Sequence, residues 1–196
     1  MKGTYQYIRK LWKSPKTSLG PLWKAKLMKF RREPATVRLD HPSRLDRARQ
    51  AGYKAKQGIF VVRQKVMRGS HKRPDWAGGR KTKQSMETMM LKKNYQAIAE
   101  ERAAKAFSNC EALNSYFVAK DGKNYWYEVI IVDRSHPAIV ADKSLGWISN
   151  AAHKSRASRG LTSSGRRYRG LLWKGQGAEK VRPSRHANIR RKVNRK

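Results

Sequence analysis

The sequence predicts an α+β fold: a small core of helices and strands, extended at both ends by long basic segments and interrupted by a basic loop. Three observations carry this reading. Ile59-Phe60-Val61-Val62 is a continuous apolar run, as expected of a strand covered on both faces. Two further strand-like runs, Leu113 to Ala119 and Tyr125 to Asp133, flank Asp121-Gly122, a strong short-range hairpin signal. Between the first strand and the hairpin, apolar residues recur at helical spacing from Tyr95 to Phe107.

Across 196 residues, 47 Lys and Arg oppose 13 Asp and Glu, a formal charge of +34. Such a chain repels itself unless anions surround it, and counterion release makes a nucleic acid the expected partner. An anionic membrane is the competing polyanion, but no apolar run approaches the roughly 20 residues of a spanning helix. The N-terminal MKGTYQYIRKLWKSPK lacks the apolar stretch of a secretory signal, so a cytoplasmic protein with no membrane partner is expected. A single cysteine, Cys110, allows neither an intrachain disulfide nor a multi-cysteine zinc site. It reads as a small apolar side chain where a helix meets a strand.

The charge is segregated. Residues 1–83 hold 24 basic and 4 acidic side chains, residues 84–146 hold 8 of each, and residues 147–196 hold 15 and 1. Only the neutral middle, joined by the strand before it, has the composition to bury a core. The predicted organisation is a basic helical N-terminal extension over 1–55, an α+β core over 56–148 with an inserted basic loop over 69–91, and an Arg/Gly-rich extension over 149–196.

In chain order, Met1, Tyr5, Ile8 and Trp12 form an apolar stripe opposite Arg9, Lys10 and Lys13, predicting an amphipathic helix that ends before Pro15. A second helix starts at Gly20-Pro21, with proline at its first position. Its stripe is Trp23, Leu27 and Phe30, and Pro34 marks its end. Ser43-Arg44-Leu45-Asp46 resembles a capping box with Asp in place of Glu, opening a helix over 44–51 that Gly52 stops in the left-handed conformation. In the strand that follows, Arg63, Lys65 and Arg68 give one basic face as the chain leaves the core. Gly69 to Lys83 combines turn formers with Lys, Arg and His and has no apolar period, a long loop suited to following phosphates.

Asn94 caps the central helix. Tyr95, Ile98, Ala99, Ala103, Ala106 and Phe107 are its core stripe, and Glu101 with Lys105 is an exposed i,i+4 pair. With Asp121 and Gly122 as the two loop residues, the hairpin pairs Phe117 with Trp126 on one face and Tyr116 with Tyr127 on the other. Such a turn needs positive φ at Gly122, so a β-branched residue there is expected to weaken the core. Ser135-His136-Pro137 opens a short helical turn to about Ala141, and Trp147-Ile148 closes the neutral region. Beyond Asn150 the isolated Tyr168, Leu171, Leu172 and Trp173 are too few to offset ordering entropy, so this segment is expected to fold only on its partner.

Catalytic chemistry finds little foothold. Glu128 and Asp133 fall on opposite faces of one strand, and Glu100 and Glu101 stand about 100° apart on a helix, so they read as surface charges or salt-bridge partners rather than a metal site. The five histidines, His41, His71, His136, His153 and His186, share no ligand spacing. Gly160-Leu-Thr-Ser-Ser-Gly165-Arg166-Arg167 has P-loop glycine spacing, but Arg replaces the Lys-Ser/Thr that would hold phosphate and magnesium. No catalytic residue, metal ligand or cofactor is expected, apart from magnesium or other cations carried by a bound RNA. An RNA-modifying or RNA-cleaving enzyme with basic arms would need a convergent polar site, and a duplex DNA binder a groove-reading helix.

Arg outnumbers Lys by 10 to 5 in residues 147–196 but not in residues 1–83, with 11 and 13. Guanidinium groups fork onto phosphates and stack on bases, which favours structured RNA. Trp12, Trp23, Trp76, Trp147 and Trp173 lie outside or at the edge of the neutral middle, as base-stacking groups or local anchors. Candidate RNA contacts in the N-terminal extension are Arg9, Lys13, Lys24, Arg31, Arg32, Arg47, Arg49, Tyr53 and Lys54. Lys56, Arg63 and Arg68 border the first strand, and His71, Lys72, Arg73, Trp76, Arg80, Lys81 and Lys83 belong to the loop. In the C-terminal extension they are His153, Lys154, Arg156, Arg159, Arg166, Arg167, Arg169, Trp173, Lys174, Arg182, Arg185, Arg190 and Arg191.

The motifs Asp46-Arg-Ala-Arg, Gly52-Tyr-Lys-Ala-Lys-Gln-Gly58 and Arg63-Gln-Lys-Val-Met-Arg-Gly69 occur in that order. They are followed by Ala99-Glu-Glu-Arg-Ala103, Leu113-Asn-Ser-Tyr-Phe-Val118 and Arg159-Gly-Leu-Thr-Ser-Ser-Gly-Arg-Arg167 with Arg169-Gly170. Together they resemble the large-subunit ribosomal protein fifteen family of the eukaryotic and archaeal type, over nearly the whole chain. Its shortness and Lys-rich composition look archaeal. The resemblance implies an α+β core with a mainly antiparallel sheet, extensions buried in large-subunit ribosomal RNA, neighbouring ribosomal proteins as partners rather than a second copy, and no catalysis.

Overall fold

The computed structural model describes residues 3–72, 74, 78–80, 88–89, 91–172 and 189. Helices α1 (Thr4–Lys13), α2 (Pro15–Ser18) and α3 (Gly20–Arg32) come first. Strand β1 (Thr36–Leu39), helix α4 (Leu45–Gln50) and strand β2 (Ile59–Met67) follow. After the two-residue strands β3 (His71–Lys72) and β4 (Thr88–Met89) come helix α5 (Tyr95–Ala106) and the hairpin strands β5 (Cys110–Lys120) and β6 (Asn124–Asp133). Helix α6 (Pro137–Val140), two 3-10 turns (Gly146–Ser149, Ala151–His153) and helix α7 (Ser163–Tyr168) complete the described chain.

Four strands form an antiparallel sheet in the order β1-β2-β6-β5. The apolar runs of β2 and β6 are buried on both faces, as the unbroken run Ile59–Val62 predicted for β2. Ile59, Val61, Trp126, Ile130 and Val132 turn toward α3, α4, α6 and the first 3-10 turn, where they meet Trp23, Phe30, Ala48, Ile139 and Ile148. Val62, Val66, Val129 and Ile131 turn the other way, toward Ala99 and Ala103 of α5 and toward Ala157.

Several local expectations hold. The Asn94 side chain accepts from the Ala97 N–H at 2.7 Å. Gly52 has φ +100°, and the Tyr53 N–H returns to the Ala48 carbonyl at 2.9 Å, closing α4 in a Schellman arrangement. Other expectations change. No side chain caps α4, whose N-cap falls on Arg44, and the Ser43 N–H donates to Glu128 Oε2 at 3.0 Å. Glu101 pairs with Lys93 at 2.8 Å rather than with Lys105. Ala106 is exposed. Arg68, just beyond β2, lies over Tyr125, 5.2 Å from the ring centre, on the face opposite Arg63, so Arg63, Lys65 and Arg68 do not share a face.

The hairpin register also differs. The turn is centred on Gly122 and Lys123, with the Asp121 N–H donating to the Asn124 carbonyl at 2.9 Å. A bulge at Val118 then places Phe117 opposite Tyr127 and Tyr116 opposite Glu128, and a second bulge falls at Leu113. Asp121 Oδ1 ties the turn by accepting from the N–H groups of Lys123 at 2.8 Å and Asn124 at 2.6 Å. Gly122 is not in the left-handed region, and a Cβ there would meet nothing within 4 Å. The expected penalty of a side chain at this position therefore does not apply. Gly122→Ala is expected to change stability by less than about 0.5 kcal/mol in thermal melts, and a larger loss would mean that the turn relies on glycine after all.

Candidate nucleic-acid interface

The disposition of carboxylates determines what the surface can bind. Apart from the exposed Asp40, every described acidic side chain has an internal partner. Glu33 accepts from Arg63, Asp46 from Arg44 at 3.2 Å, Asp121 from Arg31 at 3.0 Å, and Asp142 from Lys56 at 2.9 Å. Glu111 accepts from the backbone N–H groups of Ser155 at 2.6 Å and Arg156 at 3.0 Å, and Asp133 from that of Ser135 at 2.9 Å. Glu100 and Glu128, expected at the surface, are both fully buried. Glu128 accepts from the Tyr116 hydroxyl at 2.5 Å, and burial together with that charge pushes the phenol well above its ordinary range. Glu100 accepts from Thr162 Oγ1 at 2.5 Å and from the Ser115 hydroxyl. Burial raises its carboxyl above the usual value, opposed by these two bonds.

With the anions turned inward, the helices present cations. Arg9 and Lys13 on α1, Lys24, Arg31 and Arg32 on α3, and Arg47 and Arg49 on α4 are all exposed. Lys54 and Lys56 converge on Asp142 at 3.5 and 2.9 Å. The Ser144 hydroxyl and then Lys56 hold that carboxyl far below the usual range. Tyr53 packs half-buried against the apolar cluster. Arg63 is the clear departure. It is 6% exposed, its guanidinium lies 4.0 Å from the centre of the Phe30 ring, and it is paired with Glu33. Buried in this way it braces α3 and has no free surface for an RNA. Arg68, His71, Lys72 and Arg80 are exposed. Arg73, Trp76, Lys81, Lys83, Trp173, Lys174, Arg182, Arg185, Arg190 and Arg191 lie outside the described residues.

Residues 151–172 pack on the core, against the expectation that this segment folds only on a partner. Glu111 holds Ser155 and Arg156, and Glu100 holds Thr162. The Ser164 hydroxyl donates to Asn94 Oδ1 at 2.7 Å. Charged and polar anchors on α5 and β5 supply what the sparse apolar residues do not. The P-loop-like glycines have a packing role: Gly160 has φ +65°, and a Cβ on Gly165 would meet the Gly160 backbone at 2.5 Å. Thr162 caps α7 by accepting from the Gly165 N–H at 3.1 Å.

This packing divides the arginines. Arg159 Nε donates to the Lys154 carbonyl at 2.9 Å, and Arg169 donates to the carbonyls of Arg159 and Gly160 at 3.3 and 3.2 Å. Both shape the turn. Arg156 lies over Trp147, 4.5 Å from the ring centre, and His153 meets the same ring at 4.9 Å. Arg166, Arg167 and Lys154 are exposed. Trp12 and Trp23 cross edge to face at 5.7 Å and serve as anchors, with Lys26 and Arg44 over Trp12 at 4.9 and 5.1 Å. Cys110 is no ready nucleophile, since burial pushes its thiol up to about 11. Nothing in the sequence marks Phe117 as a surface group. The bulge at Val118 moves it away from Trp126 and leaves it 41% exposed.

The family model described as Ribosomal L15 matches residues 3–188. The large ribosomal subunit protein eL15 of the archaeon Methanocella arvoryzae is 49% identical over 193 residues, covering 97% of this chain and 98% of its own length.

Proposed function

The chain belongs to the Ribosomal L15 family, and from that premise we propose that it is a non-catalytic constituent of the large ribosomal subunit in the cytoplasm. One copy binds and braces folded ribosomal RNA beside neighbouring ribosomal proteins. The observation that carries this reading is the inward engagement of the carboxylates, which leaves the cations of α1, α3, α4 and α7 facing outward. Such a surface suits a polyanion that releases counterions. The ordered Arg166-Arg167 pair offers forked donors to phosphate, and the basic α3 and α4 offer a second face for a converging RNA segment. Magnesium or other cations enter only with the RNA. No described helix is long and apolar enough to cross a membrane.

The test is cosedimentation. The protein is expected to travel with large subunits through a high-salt wash and to be released only with the RNA structure. The purified protein should bind a large-subunit RNA fragment with affinity falling by about 0.7–0.9 log units per log unit of salt for each phosphate it neutralises. Recovery in the ribosome-free fraction would overturn the assignment.

A further inference from the structure

A groove of about 700 Å³ runs between the α1–α2 corner and the tip of the β5–β6 hairpin, within the ~300–1,000 Å³ range of small-ligand clefts. Two kinds of group converge on it. Lys13, Lys16 and Lys120 line it and are exposed. Phe117 lines the same groove and is 41% exposed, although its strand neighbours Tyr116 and Val118 are buried. Its ring leans edge-on against Tyr125 at 6.3 Å and Tyr127 at 5.9 Å. Of the other two aromatics that line it, Trp23 is buried and Trp12 already carries two cations over its ring, so Phe117 is the aromatic left for a ligand. Among the described residues that line the groove, Asp121 is the one carboxylate. Arg31 and the turn N–H groups outweigh the effect of burial and hold it ionised below the usual range, so its charge is already compensated toward an incoming anion.

An acidic peptide would satisfy the lysines and leave the ring bare, whereas a nucleotide uses both, stacking its base and placing its phosphate among the cations. We propose that this groove holds one unpaired nucleotide of the ribosomal RNA, its base against Phe117 and its phosphate among Lys13, Lys16 and Lys120. The proposal rests on the RNA-binding reading above and adds a specific site to it.

The test uses the full chain on intact large-subunit ribosomal RNA, with ultraviolet cross-linking mapped by mass spectrometry and base-reactivity footprinting. One nucleotide is expected to cross-link to the peptide containing Phe117, and its base edge to be protected by the parent protein. Phe117→Leu removes the aromatic face but keeps apolar bulk, and Lys16→Glu changes an exposed residue outside the core. Each should restore that base's reactivity and weaken binding by at least about fivefold, while phosphate protection elsewhere persists. Unchanged footprints in both variants, or cross-links confined to other peptides, would overturn the slot and leave the RNA-binding reading intact. In assembled subunits, a cross-link from this peptide to a neighbouring protein in place of RNA would overturn the nucleotide assignment. No footprint from the parent protein would overturn the RNA-binding reading itself, and the slot with it.

Discussion

Replacing Phe30 by Ala is expected to lower the unfolding free energy by about 3–5 kcal/mol, the usual cost of emptying a buried aromatic site. Phe30 is 2% exposed and meets Trp126 at 5.9 Å with the rings tilted by 46°. The Arg63 guanidinium, which pairs with Glu33 at the end of α3, also lies over its ring. Truncation would therefore open a cavity beside Trp126 and uncover a partly buried ion pair whose geometry depends on the ring. Against a typical total of roughly 5–15 kcal/mol, that loss is large. Denaturant titration of the purified chain checks it, with exposed Lys24→Ala as the control expected within about 0.5 kcal/mol. If residues 1–55 were a detachable basic arm, Phe30→Ala would leave the midpoint where it was.

The sequence signals α1, α3, β2, α5 and the Gly52 stop because each is decided locally, by apolar period, a capping Asn94 or a left-handed glycine. Strand β1 carries no such signal. Its four residues are ordered by pairing with Arg63, Gln64 and their neighbours on β2, an arrangement that no window of sequence contains. The bulges at Leu113 and Val118 are likewise set by packing. The one at Val118 converts Phe117 from an expected core residue into a groove residue. Charge segregation located the cations but not their contacts within the chain. Arg63 sits on a strand face that turns inward, and Arg159 and Arg169 bond to the backbone of their own turn. An estimate of apolar surface alone also misses Glu100 and Glu111, which fasten the 155–165 segment to the core through hydroxyls and backbone N–H groups.

The largest functional effect is expected from a residue without a side chain. In Gly165→Val the new Cβ would fall 2.5 Å from Gly160 Cα and C and 2.8 Å from its carbonyl oxygen. Backbone on both sides leaves no flexible group to yield, so α7 must shift away from Gly160. That movement breaks the Thr162 cap and its bond to Glu100, and it displaces Arg166 and Arg167. Affinity for a large-subunit RNA fragment is expected to drop on the order of tenfold, equivalent to ~1.4 kcal/mol. The salt slope should shrink by about 0.7–0.9 for each phosphate that is no longer neutralised. A second variant separates this from unfolding: Arg166→Glu with Arg167→Glu leaves the glycine packing and the Glu100 anchor in place, so thermal melts should match the parent while RNA binding falls. Replacing the same two arginines by Lys keeps the charge but removes the forked donors, and should retain most of the slope while reducing preference for the cognate fragment over an unrelated RNA of equal length. If Gly165→Val bound that fragment with unchanged affinity and slope, α7 would be only a clasp on the core, and the interface would have to lie on the α1, α3 and α4 side.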